Sequence, residues 1–198
     1  MNAQGKRSGE TAREYAYRMI REQVISLELK PGEAFNDMEF AAKIGVSRTP
    51  VREAVIQLSE ESRIIEIFPQ RGMRIALIDV ELVEEARSLR VLLEKQIAGM
   101  CCEMATEEDI KWLQENVGLQ EFYMENSRPE MVMQLDDEMH HKLFMICHRE
   151  LTYGMCQKLA IHYDRIRSLS VNTVKDNTII EDHRKIIQFI AEHKKENA

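Results

Sequence analysis

Two sets of side chains in this chain of 198 residues have the types and the spacing to do chemistry. Asp136 and His140 lie one helical turn apart, so on a helix both side chains leave the same face. Each follows an apolar residue, Leu135 or Met139, and so projects from the edge of a buried stripe toward the interior. A carboxylate and an imidazole in that relation make half of a divalent-metal site. His183, preceded by the acidic Asp182, is the best third ligand. The plain alternative is a pair of amphipathic or surface histidines at 140 and 141, with Asp136-Asp-Glu138 as a solvated acidic run. The three ligand types also match the 2-His-1-carboxylate set of iron enzymes, although no further catalytic group accompanies them.

The second set is Arg48 and Arg52, again one turn apart. An arginine bonds guanine O6 and N7 together, and such a pair contributes about 1–3 kcal/mol of base discrimination. Thr49 can meet a phosphate or a thymine methyl, and the N–H groups of a first helical turn can bind a phosphate. Gln70, Arg71 and Gly72 read as the tip of a hairpin, with Arg71 placed for a minor groove and Gly72 allowing the turn. Two arginines one turn apart are more often solvated helix charges. Here the elements around them decide.

Those elements are legible from caps and periodicity. Apolar residues at Tyr17, Ile20, Val24 and Leu27 predict a helix over 11–29, which Lys30-Pro-Gly-Glu33 breaks. Asn36 caps a second helix with Glu39 as its capping-box partner, and Gly45 ends it in the left-handed conformation. Ser47 caps a third helix and Pro50 suits its first turn. Its residues Val51, Val55 and Leu58 face inward, which leaves Arg48, Thr49 and Arg52 outside. Ile64–Ile67 and Met73–Leu77 read as short strands. A helix, a tight turn, a basic second helix and a basic hairpin describe a winged helix-turn-helix, a reader of the DNA major groove.

From Asp79, read as both boundary and cap, the pattern is helical throughout. Helices are expected over 83–104, from Thr106 with Asp109 to about Asn126, from Pro129, over 151–168, and from Thr178 or Glu181 onward, with a polar loop at 172–178. The fold class is therefore mainly α: an N-terminal winged helix-turn-helix and a C-terminal all-α helical bundle. The division is 1–10 disordered, 11–78 DNA-binding, and 79–198 helical. Charge follows it. Residues 1–78 hold 12 Lys/Arg against 11 Asp/Glu, residues 79–198 hold 15 against 23, and all six histidines lie from His140 to His193.

The polar N-terminus and the lack of a long apolar run predict a cytoplasmic protein without a membrane span. The four cysteines (101, 102, 147 and 156) lack paired C-x-x-C spacing and read as buried free thiols. The 12 methionines read mostly as core filler, and Trp112 as packing.

Residues 13–77 resemble the winged-helix domain of GntR-family bacterial transcription regulators. The carrying residues are Leu29-Lys-Pro-Gly-Glu33, Gly45-Val-Ser-Arg-Thr-Pro-Val-Arg-Glu-Ala54 and Pro69-Gln-Arg-Gly72. The resemblance implies a homodimer on a short palindromic double-stranded operator, with Arg48, Thr49 and Arg52 near the bases and the wing at the minor groove. Met38 departs from it, since some members carry a DNA-touching arginine there, and so does Ser62, where glycine is usual. Residues 80–198 resemble the helical FCD domain of the FadR subgroup through Arg90-Val-Leu-Leu-Glu94, Asp136-Asp-Glu-Met-His140-His-Lys-Leu143 and Asp182-His183-Arg184-Lys-Ile.

That second resemblance implies an Asp and His set for a divalent ion (Zn, Ni, Mn or Fe), a small organic acid as effector, and Arg90 meeting its carboxylate. Members of this kind use a third histidine further along, whereas this sequence ends 15 residues after His183. His193 is no replacement, because ten residues of helix rise about 15 Å. His148 and His162 are weak alternates. Either the chain is truncated, or three protein ligands and water suffice. The reading is a DNA-binding repressor rather than an enzyme, controlled by a small carboxylate. The alternatives are a helical domain that is a dimerisation scaffold alone, and the metalloenzyme.

Overall fold

A computed structural model of the chain describes residues 5–173 and 178–195. Contacts divide it into two compact units. One is the chain up to Val83 together with Ile161–Arg165, and the other is Glu84–Ala160 together with the chain from Ile166.

In the first unit, α1 (Ala12–Ile25) starts at a capping box in which Thr11 and Glu14 satisfy each other's backbone N–H groups. It buries Tyr15, Ala16, Met19, Ile20 and Val24 along one face and ends four residues short of the predicted 29. Residues expected to be disordered are described from residue 5, and there Glu10 takes a hydrogen bond of 2.8 Å from Arg18. Strand β1 (Ala34–Phe35) was not foreseen. Helices α2 (Asp37–Ile44) and α3 (Arg48–Ser62) follow, then β2 (Ile65–Phe68) and β3 (Gly72–Ile75). The sheet runs β1-β3-β2, all antiparallel, with Phe68 opposite Gly72. Gly72 therefore belongs to a strand, and the wing tip is residues 69–71. The core joins α1, α2, α3 and the sheet through Ile20, Val24, Phe40, Val55, Leu58, Ile65 and Ile75.

Asp79 caps α4 (Val80–Met104), its Oδ1 accepting from the N–H groups of Glu81 and Leu82. The second unit then holds the remainder of α4, α5 (Glu107–Glu125), α6 (Pro129–Ile146), α7 (Glu150–Leu159), most of α8 (Ile161–Thr173) and α9 (Thr178–Ala191). Thr106 and Asp109 form the predicted capping box of α5. The single helix expected over 151–168 is two, parted at Ala160, and Ile161 packs in the core of the first unit. The expected loop 172–178 lies largely outside the described residues. Helix α5 packs on both α6 and α9, around Leu113, Val117, Met139, Leu143, Ile187 and Ile190.

Two packing expectations fail. Only Met19, Met124 and Met139 are buried among the described methionines, while Met73 and Met100 are partly buried against the two cores. Trp112 is at the surface, with the Lys142 ammonium 5.9 Å over its ring. The cysteines are free thiols, three of them buried, and Cys101 and Cys147 bring their sulfurs to 3.4 Å.

Candidate DNA interface and candidate metal centre

The local chemistry that aims α3 begins before it. Asn36 Oδ1 accepts from the N–H groups of Met38 and Glu39, which starts α2. Gly45, at φ +73°, stops α2 in the left-handed region and lets the chain turn sharply into α3. Ser47 stands at the N-cap of α3 with extended backbone, yet its hydroxyl makes no capping bond. That corrects the expected cap and leaves the first-turn N–H groups without a side-chain acceptor.

Ser47, Arg48, Thr49 and Arg52 are all exposed, as are Gln70, Arg71 and Gly72 at the wing. Arg48 donates through Nε to Asp37, a buried carboxylate at 3.0 Å. This is an internal salt link that the sequence did not reveal, and it holds the guanidinium by one edge while the side chain stays more than half exposed. Arg52 and Arg71 make no ion pair among the described residues. Arg74, on the wing, is paired with Glu66 across the strands. Met38 is exposed beside this face, and Ser62 is buried with its hydroxyl donating to the Leu58 carbonyl. The left-handed residue before the wing is Arg63, at φ +54°.

In the second unit α6 and α9 bring three predicted ligands together. Asp136 and His183 are buried and His140 is half-buried, with one ligand atom of each lying within 4.8 Å of the others. His140 Nε2 is 3.7 Å from Asp136 Oδ2, and His183 Nε2 is 3.5 Å from Asp136 Oδ1. The imidazole rings stand edge to face, 5.4 Å apart. His183 is buried because it shares the α9 stripe of Ile180, Ile187 and Ile190, whereas Asp182 is exposed and pairs with Lys185. None of His148, His162 and His193 joins the group among the described residues.

Electrostatics keep Asp136 and His183 in ligand form. Burial pushes the His183 pKa down to about 4, so the ring is neutral near pH 7. Burial alone would raise the Asp136 carboxyl, but Arg167, His140, His183 and Arg90 outweigh it and hold that carboxyl below its ordinary value. Arg167 on α8 is a residue the sequence did not single out. It bonds the carboxylates of both Asp136 and Asp137. Nothing local marks it, since it reaches α6 across 31 residues of sequence.

Arg90 on α4 donates to Glu94 at 2.9 Å, and Glu94 in turn lies 3.3 Å from His140 Nδ1. That last approach lacks hydrogen-bond geometry, and Nδ1 is a buried nitrogen without a bonded acceptor. The cleft beside Arg90, lined also by Phe144, Tyr153, Cys156 and Gln157, has a free volume of about 10 Å³, near the size of one water. One carboxylate and two imidazoles converging on a point make a donor set that fits a borderline divalent ion such as zinc or nickel. Such an ion would be held by Asp136, His140 and His183 and would supply Lewis-acid binding for an anionic group.

The model of bacterial regulatory proteins of the gntR family matches residues 12–75, and that of the FCD domain matches residues 85–198. The chain belongs to the GntR family and carries an FCD domain. The HTH-type transcriptional repressor RspR of Escherichia coli (strain K12) is 30% identical over 158 residues, covering 80% of this chain and 69% of that protein. An HTH-type regulator from an unstable DNA locus of Streptomyces ambofaciens is 30% identical over 190 residues, 93% of this chain and 78% of its own. Among solved structures, E. coli McbR/YncC shares the fold at TM-score 0.76 and 19% identity, over 94% of this chain and 89% of that one. The protein is thus a DNA-binding transcription regulator with a winged helix-turn-helix and a helical domain of effector-binding type. Its family and relatives are regulators rather than enzymes, which corrects the metalloenzyme alternative for the triad. No helix among the described residues is long and apolar enough to cross a membrane.

Proposed function

We propose that this regulator is a cytoplasmic homodimeric repressor that releases a palindromic operator when a small organic acid binds its helical domain. In this reading 11–78 is the DNA-binding part and 79–198 the effector-binding and dimerising part. Arg48, Thr49 and Arg52 face the bases, Ser47 and the uncapped N-terminus of α3 take a phosphate, and Gln70, Arg71 and Gly72 approach the minor groove. Asp136, His140 and His183 hold a divalent ion, and Arg90 takes the carboxylate of the acid. The observation that carries the effector half is the convergence of Asp136, His140 and His183 from two helices onto one buried point.

Arg90 and Arg167 are already engaged by Glu94 and Asp136. An acid entering here competes with Glu94 for Arg90 and widens the small cleft, which makes the site a switch rather than a rigid cup. A thermal-shift screen with Zn²⁺, Ni²⁺ and Mn²⁺, each with and without small carboxylates, tests it. A ligand at 100 times its Kd stabilises the fold by about 2.7 kcal/mol, so a rise in Tm with a metal, enlarged by one acid and absent in His140→Ala, is expected. No rise with any combination at millimolar concentration would leave a dimerisation scaffold without a ligand. The ion pair of Arg167 with Asp136 and the one-water cleft favour that second reading.

A further inference from the structure

Helix α5 carries two amide side chains inside an otherwise apolar core. Asn116 and Gln120 are one turn apart and almost fully buried, between Leu113, Val117 and Met124. Buried amides are costly unless their hydrogen bonds are made, and here they are made in one direction. Asn116 Nδ2 donates to the backbone carbonyl of Leu135 at 3.1 Å. Gln120 Nε2 donates to Asn116 Oδ1 at 2.8 Å. Gln120 Oε1 then faces His183 Nδ1 at 3.0 Å.

The chain is anchored on a group that can only accept. A carbonyl oxygen demands the NH₂ end of Asn116, which turns Asn116 Oδ1 toward Gln120. That oxygen demands the NH₂ end of Gln120, which leaves Gln120 Oε1 for His183. An oxygen there demands Nδ1–H on the imidazole. The other tautomer would set two acceptors face to face at 3.0 Å, and its Nε2–H would gain only a long approach of 3.5 Å to Asp136.

We infer that Gln120, itself oriented by Asn116 and the Leu135 carbonyl, is a positioning residue that holds His183 as the Nδ1–H tautomer and so presents the Nε2 lone pair to the point shared with Asp136 and His140. The relay starts at the peptide next to Asp136 and ends on His183, so one chain of bonds sets two ligands from two helices. A ligating imidazole whose other nitrogen is tied in this way is oriented and made more basic. The inference rests on the metal reading above for its purpose, but its geometry can be tested without metal.

The test uses the full chain with ¹⁵N-labelled histidine and no metal, followed by titration with Ni²⁺ alone. Long-range ¹H–¹⁵N correlation of the wild type should show His183 protonated on Nδ1. Gln120→Leu, which keeps the bulk and removes the acceptor, should release that preference. It should also weaken Ni²⁺ binding by about 10- to 100-fold. Gln120→Glu, which keeps an acceptor for Nδ1–H but loses the N–H donated to Asn116 Oδ1, should restore the Nδ1–H preference and part of the affinity, and His183→Ala should lose the binding. Wild-type His183 protonated on Nε2 overturns the relay whatever the metal does, and so does Ni²⁺ binding by the folded Leu variant as tight as wild type. If the wild type takes up no Ni²⁺ while His183 carries its proton on Nδ1, the metal reading falls and the relay stands.

Discussion

At the scale of single residues, the two arginines of α3 have different situations although their spacing makes them look alike. Arg48 is held at one edge by Asp37, while Arg52 makes no ion pair among the described residues. Arg52 is therefore the sharper probe of base reading. Arg52→Ala should weaken binding to a cognate operator by about 1–3 kcal/mol, measured by fluorescence anisotropy, with no change in the unfolding midpoint. His183 gives a pH prediction. Its folded pKa, depressed by burial to about 4, lies below the ordinary value of 6.5. The unfolded chain thus takes up the proton first, and the stability present above pH 6.5 is lost as pH falls toward 4. His162, also depressed by burial, acts in the same direction. Urea midpoints measured from pH 7 down to 4 should fall, and less steeply in His183→Gln.

At the scale of elements, the turn between α2 and α3 depends on Gly45. Nothing lies within 4 Å of a Cβ added there, so the cost of a side chain is backbone strain alone. Gly45→Ala should destabilise by about 1–2 kcal/mol in urea unfolding, and Gly45→Asn by less, because asparagine tolerates the left-handed region. This turn was legible in the sequence because a cap and a C-terminal glycine are local signals. So were the capping box at Thr106 and the pairing of Asp136 with His140 on one face. The break at Ala160 and the two-residue strand β1 were not, since both are set by packing and pairing with distant residues. Gln120 and Arg167 were missed for the same reason. An amide on an amphipathic helix reads as surface until α6 and α9 are seen against it.

At the scale of the whole molecule, a net charge of −7 on a DNA-binding protein needs a spatial answer. The acidity belongs to the helical part, and the winged part is close to neutral. Binding then relies on a few exposed cations, so its salt dependence should be modest, because the slope of log K against log salt scales with the number of phosphates neutralised. If Arg71 meets a phosphate beside the minor groove, Arg71→Ala should reduce the slope of log K against log salt by about 1. An unchanged slope would remove the wing tip from the interface.

The most direct test is the operator affinity of the whole chain, read by anisotropy on its own upstream DNA while metal and a stabilising carboxylate are added. The account predicts an operator Kd that rises at least tenfold with the acid in the wild type and stays flat in Arg90→Ala and His140→Ala. Tight operator binding that no metal or acid alters, in a chain whose His140→Ala variant behaves identically, would contradict it.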